Sequence, residues 1–159
     1  MRIAGIALAA LSICGCAGME AISPEEPVVE VVVEVPGLAK DKIHDATKIW
    51  IAQNFGSARA VVDVDDKAAG IIIGNARIKY PCSGMGCLGK GDWQLAFKMR
   101  VDSRDARFRV QFFSLTLILP PPYGDRPLVR GEIDDSRPTL AAFGERIRSS
   151  VVRQRSDSF

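Results

Sequence analysis

A strict alternation of apolar and polar side chains over residues 93–102 constrains the fold more than any other feature of the sequence. The apolar positions are Trp93, Leu95, Phe97, Met99 and Val101, and the polar ones include Gln94, Lys98, Arg100 and Asp102. A period of two is typical of a β-strand that buries one face and leaves the other in water. Antiparallel sheets show this pattern, whereas parallel sheets are usually covered on both faces. The sequence therefore predicts an antiparallel sheet with one covered face.

Further strands are expected on both sides of this one. Strand character also appears at residues 28–35, 59–65, 69–80 and 107–119. In the last of these, the apolar parity shifts after Phe113 to Leu115 and Leu117, which predicts a β-bulge or burial on both faces.

Two segments have helical periodicity. In residues 41–55, Ile43 and Trp50 fall on one apolar stripe, which Ile49 is expected to widen. The second helix is predicted to follow an irregular loop, residues 123–135.

Ser136 is expected to cap this second helix, with Pro138 in its first turn and Leu140, Ile147 and Val151 on its apolar stripe. The predicted order is β-α-β-β-β-β-α. Because each helix has a single apolar stripe, we expect an α+β fold of about five antiparallel strands with both helices on one face.

The N-terminus has the features of a secretory signal with a lipid attachment site. A single arginine precedes an apolar stretch, residues 3–13, which is shorter than the roughly 20 residues that span a bilayer. The sequence Ile13-Cys14-Gly15-Cys16 then resembles the bacterial lipobox, so Cys16 is the predicted lipidated residue. Cys14 is a competing site, but it would follow a bulky isoleucine. An ordinary cleaved signal with an incidental cysteine, or a buried helix, would also fit the apolar stretch.

This interpretation divides the chain into four parts. They are a signal peptide (residues 1–15), the lipidated cysteine with a tether (16–27), a single domain (28–154) and a frayed tail (155–159). Acyl chains would attach the protein durably to the cell membrane or the outer membrane, facing the periplasm or the outside. The membrane is thus a predicted partner, through the lipid anchor.

Two cysteines would remain after processing, Cys82 and Cys87. A pair this close, in an oxidising compartment, predicts a disulfide that closes its own loop. Such a short loop is assigned roughly 2 kcal/mol of stabilisation, so the expected role is local order. A pair of free thiols is the alternative. A metal site would need further ligands, and His44 is the single histidine.

Several motifs resemble a known family. They are Val32, Glu34-Val35-Pro36-Gly37, Lys40-Asp41, Ala46, Trp50, Asn54-Phe55 and Asp65-Asp66-Lys67-Ala68-Ala69-Gly70. Over residues 28–119 the chain resembles the bacterial domain of unknown function 4468, described as having a TATA-binding-protein-like (TBP-like) fold. The resemblance implies this fold and a secreted, often lipid-anchored habit, but no activity and no site residues. The loop with the two cysteines departs from the family pattern.

Two patterns that suggest chemistry have simpler explanations. The segment 84–89 satisfies G-x-G-x-x-G, but a strand rather than a helix follows it, so a hairpin loop is expected. His44 lies between Lys42 and Asp45 on an amphipathic helix, where we expect a solvated and non-catalytic side chain.

Acidic clusters are explained in the same way. Glu132, Asp134 and Asp135 lack the spacing of an EF-hand, and a turn before a helix accounts for them. Asp65 and Asp66 are expected in a hairpin turn. We therefore expect no metal, no cofactor and no enzyme activity.

The uncovered sheet face carries the candidate binding surface. It is predicted to hold Arg77, Lys79, Lys98, Arg100 and Arg109, with Glu30, Glu34 and Asp63 at the other edge. These charges are either simply solvated or a docking surface for an envelope protein or polymer. A formal net charge of +2 gives no support for a nucleic-acid partner, and the name of the fold does not imply one. A second candidate function is a small-ligand-binding or enzyme-like module that uses loops 81–92 and 123–135.

Overall fold

The computed structural model describes residues 27–55, 61–82 and 84–156, and the side chains of residues 155 and 156 are not described. Cys16, the predicted signal peptide and all of the predicted tether except Pro27 lie outside these residues. The predicted tail lies partly outside them, because the final helix continues to Ser156 and residues 157–159 are not described.

An antiparallel sheet forms the centre of the domain. Its elements in chain order are β1 (Val29–Glu34), α1 (Lys40–Phe55), β2 (Val62–Asp66), β3 (Ile71–Lys79), a 3-10 turn (Gly84–Cys87), β4 (Gln94–Arg104), β5 (Arg107–Ile118), β6 (Arg126–Pro127) and α2 (Arg130–Ser156). The main strands are arranged β1-β5-β4-β3-β2, and the two-residue β6 pairs with β5. The predicted α+β fold and element order are confirmed. The short β6 was not predicted.

The alternation of apolar and polar residues along each strand determines which face of the sheet is buried. Leu95, Phe97, Met99 and Val101 of β4 face the core and are at most 3% exposed. Since both helices pack on this side, the opposite face of the sheet is left uncovered.

The predicted change of parity in β5 is a β-bulge. Ala96 pairs with Thr116 and Lys98 pairs with Phe113, so β5 has one more residue than β4 in this interval. Ser114 absorbs the difference with a positive φ of 49°. Because of this bulge, Leu115 and Leu117 return to the core face and are buried.

The buried stripe of α1 differs from the predicted one at its margin. Ile43 and Trp50 are buried as expected, but Ile49 is 44% exposed, and Ile51 is buried in its place. His44 and Ile51 are seven residues apart, so their side chains lie on the same side of the helix. The buried stripe therefore extends toward His44 rather than toward Ile49. The expectations that Ile49 widens the stripe and that His44 is solvated are therefore wrong.

The start of α2 is also different. The helix begins at Arg130, six residues before Ser136, so Ser136 is not the N-cap. Its hydroxyl donates to the Glu132 carbonyl at 2.8 Å, and Pro138 lies inside the helix. Residues 123–135 are consequently not an irregular loop throughout.

Both helices converge on an aromatic cluster. The rings of Trp50, Phe55, Phe97, Phe112 and Phe143 have neighbouring centroids 5.4–6.3 Å apart, mostly edge to face. At Gly144 the helix α2 approaches β1 so closely that an added Cβ would lie 2.8 Å from Val31 Cγ1. In the described part of the chain, no helix combines the length and the apolar character needed to cross a bilayer.

Candidate functional site

The five predicted basic residues all lie on the helix-free face. Arg77 and Lys79 are on β3, Lys98 and Arg100 are on β4, and Arg109 is on β5. Their neighbours in each strand point into the core, so the alternation that builds the core also exposes these cations.

Two of the five cations are neutralised locally. Arg100 donates to one carboxylate oxygen of Asp102 at 2.8 and 2.9 Å, and Arg109 donates to the other at 2.9 and 3.3 Å. Partial burial acts to raise the pKa of Asp102, but the hydrogen bonds from the two guanidinium groups outweigh it, so its pKa lies below the ordinary value. Asp102 is therefore held as a carboxylate, and this part of the face is a closed charge network.

Glu30 belongs to the same network. Its carboxylate accepts a hydrogen bond from Gln111 Nε2 at 2.6 Å and lies 3.9 Å from Arg109 Nη1. Asp63, however, is at the opposite edge of the sheet, where it accepts from Asn75 Nδ2 at 2.5 Å. The acidic residues thus flank the cations on both edges, and the prediction that they share one edge is wrong.

The remaining three predicted cations are available for contact. Within the described residues, the side chains of Arg77, Lys79 and Lys98 have no ion pair or hydrogen bond, and all three residues are exposed. Lys98 lies opposite Asn75, so it is a diagonal neighbour of Arg77. This subset, Arg77, Lys79 and Lys98, is called the open-face cations below.

A second arginine pair was not anticipated. Arg104 and Arg107 face each other across the β4–β5 hairpin. They line a cavity of about 210 Å³ together with Glu30, Asp102 and Arg109, among other residues. The alternation could have indicated this pair, because Arg104 continues the polar parity of β4.

His44 is buried, at 1% exposure, contrary to expectation. Its Nε2 lies 3.2 Å from an Asp65 oxygen, a close contact that is not aligned as a hydrogen bond. The other Asp65 oxygen accepts from Lys48. Asp65 pairs with Ile72 in the β2–β3 ladder, so it lies in the strand rather than in the turn itself. His44 therefore packs α1 against β2.

The loop between β3 and β4 is closed by a disulfide. Cys82 and Cys87 are bonded in the structure, with Cα atoms 5.3 Å apart. The glycine-rich pattern here forms a 3-10 turn and then leads into β4, so no long helix follows it. This is the local arrangement that the sequence predicts for a hairpin loop.

The acidic cluster near residue 132 is part of the start of α2. Arg126 donates two hydrogen bonds to Glu132, at 2.6 and 2.8 Å, and the Val129 amide donates a third at 3.1 Å. The Arg126 hydrogen bond, opposed by partial burial, lowers the pKa of Glu132. Asp134 lies 3.9 Å from Arg137. The described residues contain no group of His, Cys, Asp or Glu side chains placed to hold a metal ion.

The two predicted loop regions meet at a cleft. The Cys82–Cys87 disulfide closes the loop of residues 80–93, which is called the stapled loop below. Its residues Cys82 and Lys90 line a cavity of about 360 Å³ together with Asp135 and Pro138 of α2. Nearby, burial and the charge of Asp135 raise the pKa of Tyr80 to about 12, so its hydroxyl stays protonated.

This architecture defines a class: an α+β domain with a TBP-like sheet and one uncovered face. The chain matches the family described as "Domain of unknown function (DUF4468) with TBP-like fold" over residues 30–117. The chain belongs to this family. A comparison with curated proteins found no match.

Two crystal structures have a similar fold. A TBP-like protein from Parabacteroides distasonis has a TM-score of 0.51 and 16% identity, and the likeness covers 80% of this chain and 86% of that one. A DUF4468 family protein from Bacteroides ovatus has a TM-score of 0.52 and 12% identity, over 77% of this chain and 82% of that one. At these identities the likeness supports the fold alone.

Proposed function

We propose that this protein is a non-enzymatic binding module, attached to the cell envelope through a lipid on Cys16, which docks another envelope protein on its helix-free face. The observation that carries the proposal is the set of open-face cations. Arg77, Lys79 and Lys98 are exposed on a sheet face that neither helix covers, and they lack partners among the described residues.

The distribution of charge favours a protein partner over an acidic polymer. A polymer with uniform negative charge would be matched by an unbroken basic groove. Here the cations alternate with uncharged positions such as Asn75 and Gln94, and Glu30 and Asp63 flank them. A protein surface that carries both signs complements such a mosaic and fixes its register.

Reversal of two charges on the helix-free face tests this proposal. The pair to change is Arg77→Glu with Lys98→Glu, because Arg100 and Arg109 are bound to Asp102 and their replacement would also disturb the sheet. The full-length protein is crosslinked in native membranes and purified, and its partners are identified by mass spectrometry. We expect the double variant to lose at least one protein that the parent crosslinks.

The matched control is Lys42→Glu with Arg148→Glu, which reverses two exposed charges on the helical side. We expect the control to keep the parent's partners. If both double variants crosslink the same proteins as the parent, docking through the open face is wrong. Capture of an anionic polymer in place of a protein would also contradict the choice of partner.

One observation favours a second candidate function, in which the module binds a small ligand. The stapled loop and the first turns of α2 line a common cleft, of about 360 Å³, with Lys90 and Asp135 on its wall. Native mass spectrometry of the purified protein tests this candidate. A retained molecule that is lost in Lys90→Ala would support it, whereas a spectrum of the unliganded mass alone would count against it.

A further inference from the structure

The most exposed large apolar side chains of the described residues are all near one end of the sheet. Met85 is 84% exposed, Leu88 74% and Tyr123 67%, whereas the next, Val32, is 55%. Met85 and Leu88 belong to the stapled loop between β3 and β4, and Tyr123 follows the end of β5, which pairs with the start of β4. An end of a sheet that exposes several large apolar side chains is a candidate contact surface.

The stapled loop holds its two apolar side chains outward. The Cys82–Cys87 disulfide closes it, and the Leu88 amide donates to the Met85 carbonyl at 3.1 Å. The part of the loop that leads into β4 is held by Lys90. Its ammonium lies 5.4 and 5.3 Å from the ring centroids of Tyr80 and Trp93. The described part of the loop, residues 84–93, therefore presents Met85 and Leu88 at an apolar tip.

The N-terminal end of β1 points toward the end of the sheet that carries this tip. The Val28 amide bonds to the Phe112 carbonyl, and Phe112 is paired with Met99. From Met99 to the start of β4 at Gln94 is five residues, or roughly 17 Å along the strand. The first residues of β1 thus lie toward the end of the sheet that carries the loop, and the strand runs away from that end.

We infer that this end of the domain is a lipid-binding surface, in which Met85 and Leu88 enter the apolar edge of a bilayer and Tyr123 lies at its polar interface. The inference rests in part on the lipid anchor proposed above, which brings the surface to the membrane. Eleven residues, 17–27, follow Cys16 and can extend at most about 40 Å. The loop determines the orientation that the anchor alone would leave free.

A lipid surface fits this tip better than an acidic partner does. Lys79 lines a pocket with Asp92, and Lys90 lines another with Asp135, so acidic and basic side chains occur together around the tip and form no patch of a single sign. Insertion of a few large apolar side chains, with a tyrosine at the level of the headgroups, is a usual mode of interfacial binding.

Depth-dependent fluorescence quenching tests the inference without the native lipid. The chain from position 16 onward carries Cys16→Ser and an N-terminal histidine tag, and it is held on phosphatidylcholine vesicles that contain a nickel-chelating lipid. Leu88→Trp and Met85→Trp place a reporter at the tip. Val32→Trp, at an exposed apolar position on β1, is the matched control, and the parent chain corrects for Trp50 and Trp93.

With brominated phosphatidylcholine, we expect quenching at positions 85 and 88 to exceed that at position 32 by roughly twofold or more, since inserted groups reach about 5–10 Å into the interface. Equal quenching at all three positions would overturn the inference, as would quenching confined to position 32. Because the tag replaces the native anchor, a negative result rejects the membrane contact and leaves the lipid on Cys16 to be judged separately.

Discussion

The ion pair between Arg126 and Glu132 shows how single residues define an element boundary in this domain. Glu132 is the third residue of α2, and its carboxylate reaches back to the amide of Val129, which precedes the helix. This is one half of a capping box, in which a glutamate satisfies an amide that the helix itself leaves unpaired. Arg126 then ties the carboxylate to β6 with two further hydrogen bonds.

Glu132→Gln should lower the free energy of unfolding by about 1–2 kcal/mol at pH 7, because it removes a carboxylate that accepts charge-assisted hydrogen bonds. The pKa of Glu132 is lower in the folded chain than in the unfolded one. Its contribution is therefore complete above the unfolded pKa of about 4.3 and is lost as the pH falls through the folded pKa. Urea titrations should show a difference between parent and variant that is larger at pH 7 than at pH 3 and decreases further as the pH is lowered.

Glu145→Gln is the control for this comparison. Glu145 has an exposed carboxylate and a single contact of 3.5 Å with Arg148, so we expect a change of less than about 0.5 kcal/mol. An equal loss in both variants, or a loss at Glu132 that does not depend on pH, would contradict the assignment.

Residue-level errors of sequence interpretation arise from side chains whose partners are distant. Ser136 is a strong N-cap residue type, but Glu132 and Arg126 determine the helix start through a contact that involves a two-residue strand. His44 has charged neighbours in sequence, yet its side chain is buried because it lies on the same side of α1 as Ile51, seven residues later. In both cases, tertiary packing outweighs local preference.

At the scale of elements, α1 depends on the β4–β5 hairpin for its first turn. Ala39 precedes the helix and offers no side-chain acceptor. The Lys40 amide donates instead to Asp105 Oδ1 at 2.8 Å, from a residue 65 positions away. The hairpin is fixed in return, because the Ala106 amide donates to the Leu38 carbonyl at 2.8 Å.

Asp105→Ala should therefore destabilise the domain by about 1 kcal/mol, the usual effect of losing an N-cap acceptor. Hydrogen exchange should quicken at the Lys40 amide, with little change in α2. Asp105→Asn retains an oxygen acceptor and should restore most of the protection. Unchanged exchange at Lys40 in Asp105→Ala would show that the contact does not cap the helix.

Periodicity predicts the elements of this fold well where a single buried face decides them. Trp50 and Phe97 fall on such faces. The parity shift after Phe113 is compatible with a bulge or with burial on both faces, and the structure shows the bulge, at Ser114. Periodicity places the five basic residues on the helix-free face, but it does not show which of them lack a carboxylate partner. Pairing of Arg100 and Arg109 with Asp102 depends on side-chain geometry across β4 and β5.

For the molecule as a whole, different surfaces have different proposed roles. The helices bury one face of the sheet. In the proposals above, Arg77, Lys79 and Lys98 on the helix-free face would dock a protein, and the end near Met85 and Leu88 would contact lipid. Each role depends on a position at the membrane. A module held at the membrane would meet its partner at a distance from the bilayer that is limited by the length of the tether.

A lipid on Cys16 is the feature on which these roles depend, and metabolic labelling with a fatty-acid analogue tests it most directly. Cells that express the full-length protein are labelled, and the purified protein is examined for the incorporated analogue. We predict labelling of the parent and of Cys14→Ser, and no labelling of Cys16→Ser, which should also leave the membrane fraction. Labelling that persists in Cys16→Ser, or its absence from the parent, would contradict lipidation at this residue.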